Sequence, residues 1–94
     1  MMSKVPIDLD RIKKEDLDRE IIRIAMIAEL DAVSLYEQLE SMTDNPNIQA
    51  VLQDIALEEK THVGELQTLL LQFDDEQEKE LIKGREEVEE LLKN

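Results

Sequence analysis

Apolar residues recur in alternating steps of three and four along two long stretches of this chain. One stripe runs Ile22, Ala25, Glu29, Ala32, Tyr36 and Leu39; the other runs Ile48, Leu52, Ile55, Glu59, His62, Leu66 and Leu69. That spacing marks helices that bury one face. It predicts a helix from about Lys14 to Met42 and a second from about Pro46 to Gln72. Between them, Thr43-Asp44-Asn45-Pro46-Asn47 reads as a turn. Asn45 can cap the second helix, with Pro46 at its first position, where a missing N–H costs nothing. A connection this short makes the pair an antiparallel hairpin.

Asp74 reads as the cap of a third helix over about Asp75 to Leu92, with Gln77 as its capping-box partner. The pattern is weaker here. Leu81, Ile82, Val88, Leu91 and Leu92 alternate with Gly84 and a dense acidic tail, and Glu86 and Glu90 repel one turn apart. This helix is expected to dock loosely or against a neighbour. Residues 1–13, broken by Pro6 and the Asp8/Asp10 pair, are expected to be an irregular N-terminal arm, with the helical domain spanning 14–94.

A second apolar set lies beside the stripe of the first helix: Ile21, Ile24, Met26, Ile27, Val33 and Leu35. One antiparallel partner cannot cover both sets, so this helix needs burial from more than one side. Gly64 falls in mid-helix, where it costs ~1 kcal/mol against Ala. Close approach of another helix is the simplest account of it.

Composition sharpens this picture. One Tyr, one Phe and no Trp leave a purely aliphatic core for 94 residues. A chain with so thin a core often completes itself by oligomerising. Eleven basic against 24 acidic residues give a net charge of −13. Phosphate backbones and anionic lipid surfaces are repelled by such a chain, which argues against nucleic acid and membrane partners and suits cations. The absence of cysteine removes disulfides and thiolate metal sites. No apolar leader is read in Met1-Met2-Ser3-Lys4-Val5-Pro6, and no apolar run approaches the ~20 residues of a membrane span. A cytoplasmic protein is expected.

The candidate chemistry lies where the stripes are interrupted. Glu59 and His62, one helical turn apart on one face, replace apolar residues in the second stripe, and Glu29 does so in the first. Glu29 stands 16 residues before Asn45, while Glu59 and His62 stand 14 and 17 after it, so a hairpin sets all three at one height. Ala25 and Ala32 leave room around Glu29. A lone histidine on an apolar stripe is more often a satisfied core residue, and a lone tyrosine such as Tyr36 is more often packing. Neither stripe carries a Lys or Arg to neutralise the acids, however, and a metal ion suits the joint set. Asp31 and Glu58 flank it, either as groups that support the ligands or line an entry route, or as plain surface acids.

Two carboxylates and one imidazole are half of a ferritin-like di-iron set, which takes a Glu from each of two helices and a Glu-x-x-His from each of two others. A two-fold dimer supplies the other half and covers the second apolar face of the first helix. Carboxylate and imidazole donors without thiolate suit iron or manganese, with zinc or calcium as substitutes. The fold expected is therefore all-α: a two-helix hairpin plus a short third helix, half of a four-helix bundle completed by dimerisation.

The segments Ile27-Ala28-Glu29-Leu30-Asp31-Ala32-Val33-Ser34-Leu35-Tyr36-Glu37 and Glu58-Glu59-Lys60-Thr61-His62-Val63 resemble the encapsulated ferritins, over about Ile21 to Leu92. The resemblance implies a ferroxidase centre across a dimer interface, two irons per dimer, a decameric ring and an encapsulin shell that stores the oxidised iron. It also implies that Glu29 and His62 ligate one iron, that Glu59 bridges both, that Tyr36 lies near the centre and that Asp31 belongs to a metal-access site. Ala28 stands where that access region often has an acid, and Leu35 replaces an aromatic residue beside the tyrosine. Some archaeal relatives are fused to their shell protein, which fits a chain ending Glu90-Leu91-Leu92-Lys93-Asn94 with no obvious docking tail.

The function expected is oxidation of Fe(II) by O₂ inside an encapsulin nanocompartment. Two rivals stand beside it. One is a rubrerythrin-like di-iron peroxidase. The other is a non-enzymatic assembly module in which Glu59 and His62 bind each other or a structural metal.

Overall fold

The computed structural model describes residues 11–93. Three helices follow one another: α1 Leu17–Met42, α2 Pro46–Phe73 and α3 Asp75–Leu91. At ~1.5 Å per residue, α1 and α2 are each roughly 40 Å long. They run antiparallel, and α3 leaves the hairpin at an angle, making a plate of 47 × 47 × 18 Å.

The first helix starts later than its apolar pattern predicts. Lys14–Asp16 form a 3-10 turn, closed by the Asp16 N–H donating to the Lys13 carbonyl at 2.9 Å. Asp16 offers no side-chain cap to α1, because Arg19 donates to its carboxylate instead. The expected arm lies outside the described residues up to position 10, and the rest of it leads directly into this turn.

At the hairpin turn, Asn45 Oδ1 accepts from the N–H groups of Asn47 at 2.9 Å and Ile48 at 3.1 Å. Two of the otherwise unpaired donors of the first turn of α2 are thereby satisfied. Gln49 Nε2 donates back to the Thr43 carbonyl at 2.7 Å. No described residue has a positive φ outside glycine, so capping rather than a left-handed residue reverses the chain.

The hairpin core is small. Ile22, Ala32 and Val33 of α1 are buried against Ala56 and Leu70 of α2. Three details differ from the stripe. Ile48 and Leu69, at its two ends, are 49% and 45% exposed, while Ala56 and Leu70, one position further round α2, are buried. Val33 belongs to the hairpin core rather than to the outer face. Long helices crossing at an angle cannot keep one row in contact throughout, so the ends of the row turn away from the partner.

Fifteen large apolar side chains remain exposed among the described residues, against five buried apolar ones, so the hairpin does not complete a core within one chain. Ile21 and Ile27 of the second apolar set are among them. Gly64 departs from expectation: a Cβ added there would meet nothing within 4 Å, so no helix of the same chain approaches it.

Candidate metal centre

Glu29 comes from the middle of α1, and Glu59 and His62 come from adjacent turns in the middle of α2. His62 Nδ1 lies 3.3 Å from Glu29 Oε2 and 3.4 Å from Glu59 Oε2. One ligand atom from each of the three residues falls within 4.8 Å of the others. In the tautomer that carries its proton on Nδ1, His62 donates toward both carboxylates. A cation at this point would take over the role of that proton.

The cluster is not closed inside the hairpin. The His62 side chain is 45% exposed, against 26% for Glu29 and 20% for Glu59. Glu29 and His62 open onto a hollow lined also by Glu65, Leu66 and Leu69. The donors therefore face outward beside apolar side chains that lack a partner. Three donors that stop at a surface leave coordination positions free, and the donor chemistry fits a hard or borderline divalent ion.

Beside the cluster, Lys60 Nζ donates to Glu37 Oε2 at 3.2 Å across the two helices. Both side chains are more than half exposed, so this brace contributes little stability.

The remaining residues singled out by sequence are not in the cluster. Tyr36 is half-buried, two turns along α1 from Glu29. Asp31 is half-buried on α1, outside the group of three, and Glu58 is exposed on α2. Glu65 is the neighbour that the stripes overlook. Its signal was a second step of three from His62, masked because Glu65 sits beside the apolar row rather than in it.

An all-α hairpin with two carboxylates and an imidazole converging from its helices defines a ferritin-like domain. Comparison with known proteins agrees. The model of the Rubrerythrin family matches residues 20–93, and the chain belongs to that family. A ferritin-like–encapsulin shell fusion protein of Pyrococcus furiosus is 50% identical over 94 residues, covering 97% of this chain and 27% of the fusion. The encapsulin nanocompartment cargo protein EncC of Myxococcus xanthus is 39% identical over 56 residues, covering 60% of this chain and 43% of that protein. The chain thus spans less than half the length of these curated relatives. The crystal structure of the encapsulated ferritin domain from Pyrococcus furiosus matches with a TM-score of 0.82 and 44% identity, covering 98% of this chain and 94% of that one.

Proposed function

We propose that this domain is a ferroxidase whose di-iron centre is shared by two copies of the chain, and that it supplies iron for storage in an encapsulin shell. The observation that carries this reading is the convergence of Glu29, Glu59 and His62 on an outward-facing, partly apolar surface. A two-fold axis through that surface sets two such clusters face to face. Four carboxylates and two imidazoles then surround two metal positions, with Glu29 and His62 as terminal ligands and Glu59 between the metals. The same contact covers exposed apolar side chains such as Leu69.

The charges fit. Four carboxylates balance two Fe(II) ions, so the reduced pair is held without excess charge. Each Fe(II) would give one electron to O₂, which leaves as hydrogen peroxide with two protons taken from two waters, and the two hydroxides left behind offset the charge gained on oxidation. The ferric product then leaves toward the store. Holding the irons about 3.5–4 Å apart, with positions open to oxygen, is the protein's task. Manganese, zinc or calcium would fit the donors as substitutes. Tyr36, two turns along α1 from Glu29, would support the centre, and Asp31 and Glu58 would lie on the route by which metal reaches it or beside its ligands. The names of the relatives support an encapsulin shell partner; a cytoplasmic compartment and a ring of dimers, up to ten subunits, complete the proposal.

The family match favours one second reading, in which peroxide rather than O₂ is the preferred oxidant at the same centre. Comparing the two oxidants separates them. The shared site is tested by aerobic Fe(II) oxidation combined with native mass measurement. The expected species is a dimer, or a multiple of it, with two irons per dimer. A monomer that holds iron tightly would overturn the shared centre.

A further inference from the structure

We infer that the Arg23–Asp74 ion pair is a latch that sets the direction of α3 relative to the hairpin. Asp74 is the junction residue between α2 and α3, and it is the buried polar residue of the described chain, 9% exposed. Its two carboxylate oxygens do different work. Oδ1 accepts from the Gln77 N–H at 3.0 Å and caps α3. Oδ2 accepts from Arg23 Nη2 of α1 at 2.9 Å, across 51 positions of sequence. Arg23 is itself held by Glu20, to which Nη1 donates. One carboxylate therefore ties the end of α2, the start of α3 and the side of α1.

Packing does little to aim α3. The helix contains no buried residue, and every position from Leu81 to Leu91 is exposed. It meets α2 only at its root, where Gln67 and Leu71 face Glu78, Leu81, Ile82 and Arg85 across an open groove. A helix resting on one edge can roll or swing about that edge. A second attachment at the joint, to a different helix, limits that freedom, and the Arg23–Asp74 pair is such an attachment. Its directional guanidinium geometry suits the role better than an apolar contact. Released, α3 would no longer hold its exposed Leu81, Ile82, Val88 and Leu91 in a fixed position relative to the hairpin. The inference does not depend on the metal reading, because Arg23 and Asp74 lie outside the cluster.

Pulsed EPR distances in the full chain test it. The sequence has no cysteine, so Ser34→Cys and Glu87→Cys give one spin label on α1 and one on α3. Labelled chains are diluted into unlabelled protein so that distances within a chain dominate. Glu87 lies about 18 Å along α3, so a swing of about 15° moves it by roughly 5 Å. The expected result is a narrow distance distribution that broadens or shifts by about that amount in Arg23→Gln. Asp74→Asn should behave alike, since Asn keeps the cap and loses only the charge. The double variant should go no further than either single one, and Arg23→Lys should restore part of the narrow distribution. A control pair within the hairpin, Ser34→Cys with Asp54→Cys, should stay unchanged. An unchanged distribution in Arg23→Gln overturns the latch. So does a change in Asp74→Asn without one in Arg23→Gln, which would assign the effect to the cap. Broadening of the hairpin control also overturns it, because the pair would then hold the whole fold rather than α3.

Discussion

Glu29 and His62, 33 positions apart in sequence, meet at 3.3 Å between Oε2 and Nδ1 on the outward face of the hairpin. The contact joins the middles of two long helices, where fraying is least, so the backbone positions of the three residues are set before any metal binds. It stops at a half-exposed surface, which suits the proposed use of the same residues as ligand set and contact face.

Removing a donor should abolish turnover while leaving the fold. Glu59→Ala and His62→Ala are each expected to lower the rate of aerobic Fe(II) oxidation by at least ~100-fold, since loss of even an outer partner of a metal ligand costs ~10–100-fold. Circular dichroism should show helicity retained. The exposed Asp54→Asn serves as the control, with a rate within about two-fold of the parent. Stopped-flow oxidation in all three variants checks this.

Association and iron binding should fail together. Leu69 is 45% exposed in the single chain and lines the hollow beside Glu29 and His62. Leu69→Asp places a charge on the proposed contact without touching a ligand. Sedimentation should show the monomer, and iron titration should show tight binding lost. Tight iron binding by that monomer would refute the shared centre.

The hairpin core predicts a contrast in stability. Leu70 is 5% exposed, so Leu70→Ala should lower unfolding free energy by ~2–5 kcal/mol through lost burial and the cavity left behind. Asn45→Ala removes the acceptor for two N–H groups of α2 and should cost ~1 kcal/mol. Urea unfolding at fixed protein concentration measures both.

Gly64 offers a gain. A Cβ there meets nothing within 4 Å, and glycine in a helix interior costs ~1 kcal/mol against Ala. Gly64→Ala should therefore raise stability by up to ~1 kcal/mol and leave the oligomeric state unchanged. Thermal unfolding with sedimentation checks this. A weaker oligomer would mean that a second chain approaches Gly64 closely.

Much of the fold is written in local pattern. The steps of three and four, the Asn45-Pro46 start signal and the Asp74 cap are short-range rules, so helix number, helix type and the hairpin reversal follow from neighbouring residues. The height match of Glu29 with Glu59 and His62 is equally legible, because a rigid rise per residue converts counting into distance. The Rubrerythrin-family match agrees with the helical fold read from these patterns.

Other features depend on how the helices cross. Helix rotation and tilt buried Ala56 and Leu70 while turning Ile48 and Leu69 outward, and no single helix encodes its partner's angle. Residue counting brought the three donors to one height but could not say that they open to the surface, since exposure depends on which side of the seam the partner helix occupies. The second role of Asp74 was hidden for the same reason. Its cap is formed three residues away, whereas its ion pair with Arg23 spans 51 positions and exists only once α1 and α2 have paired.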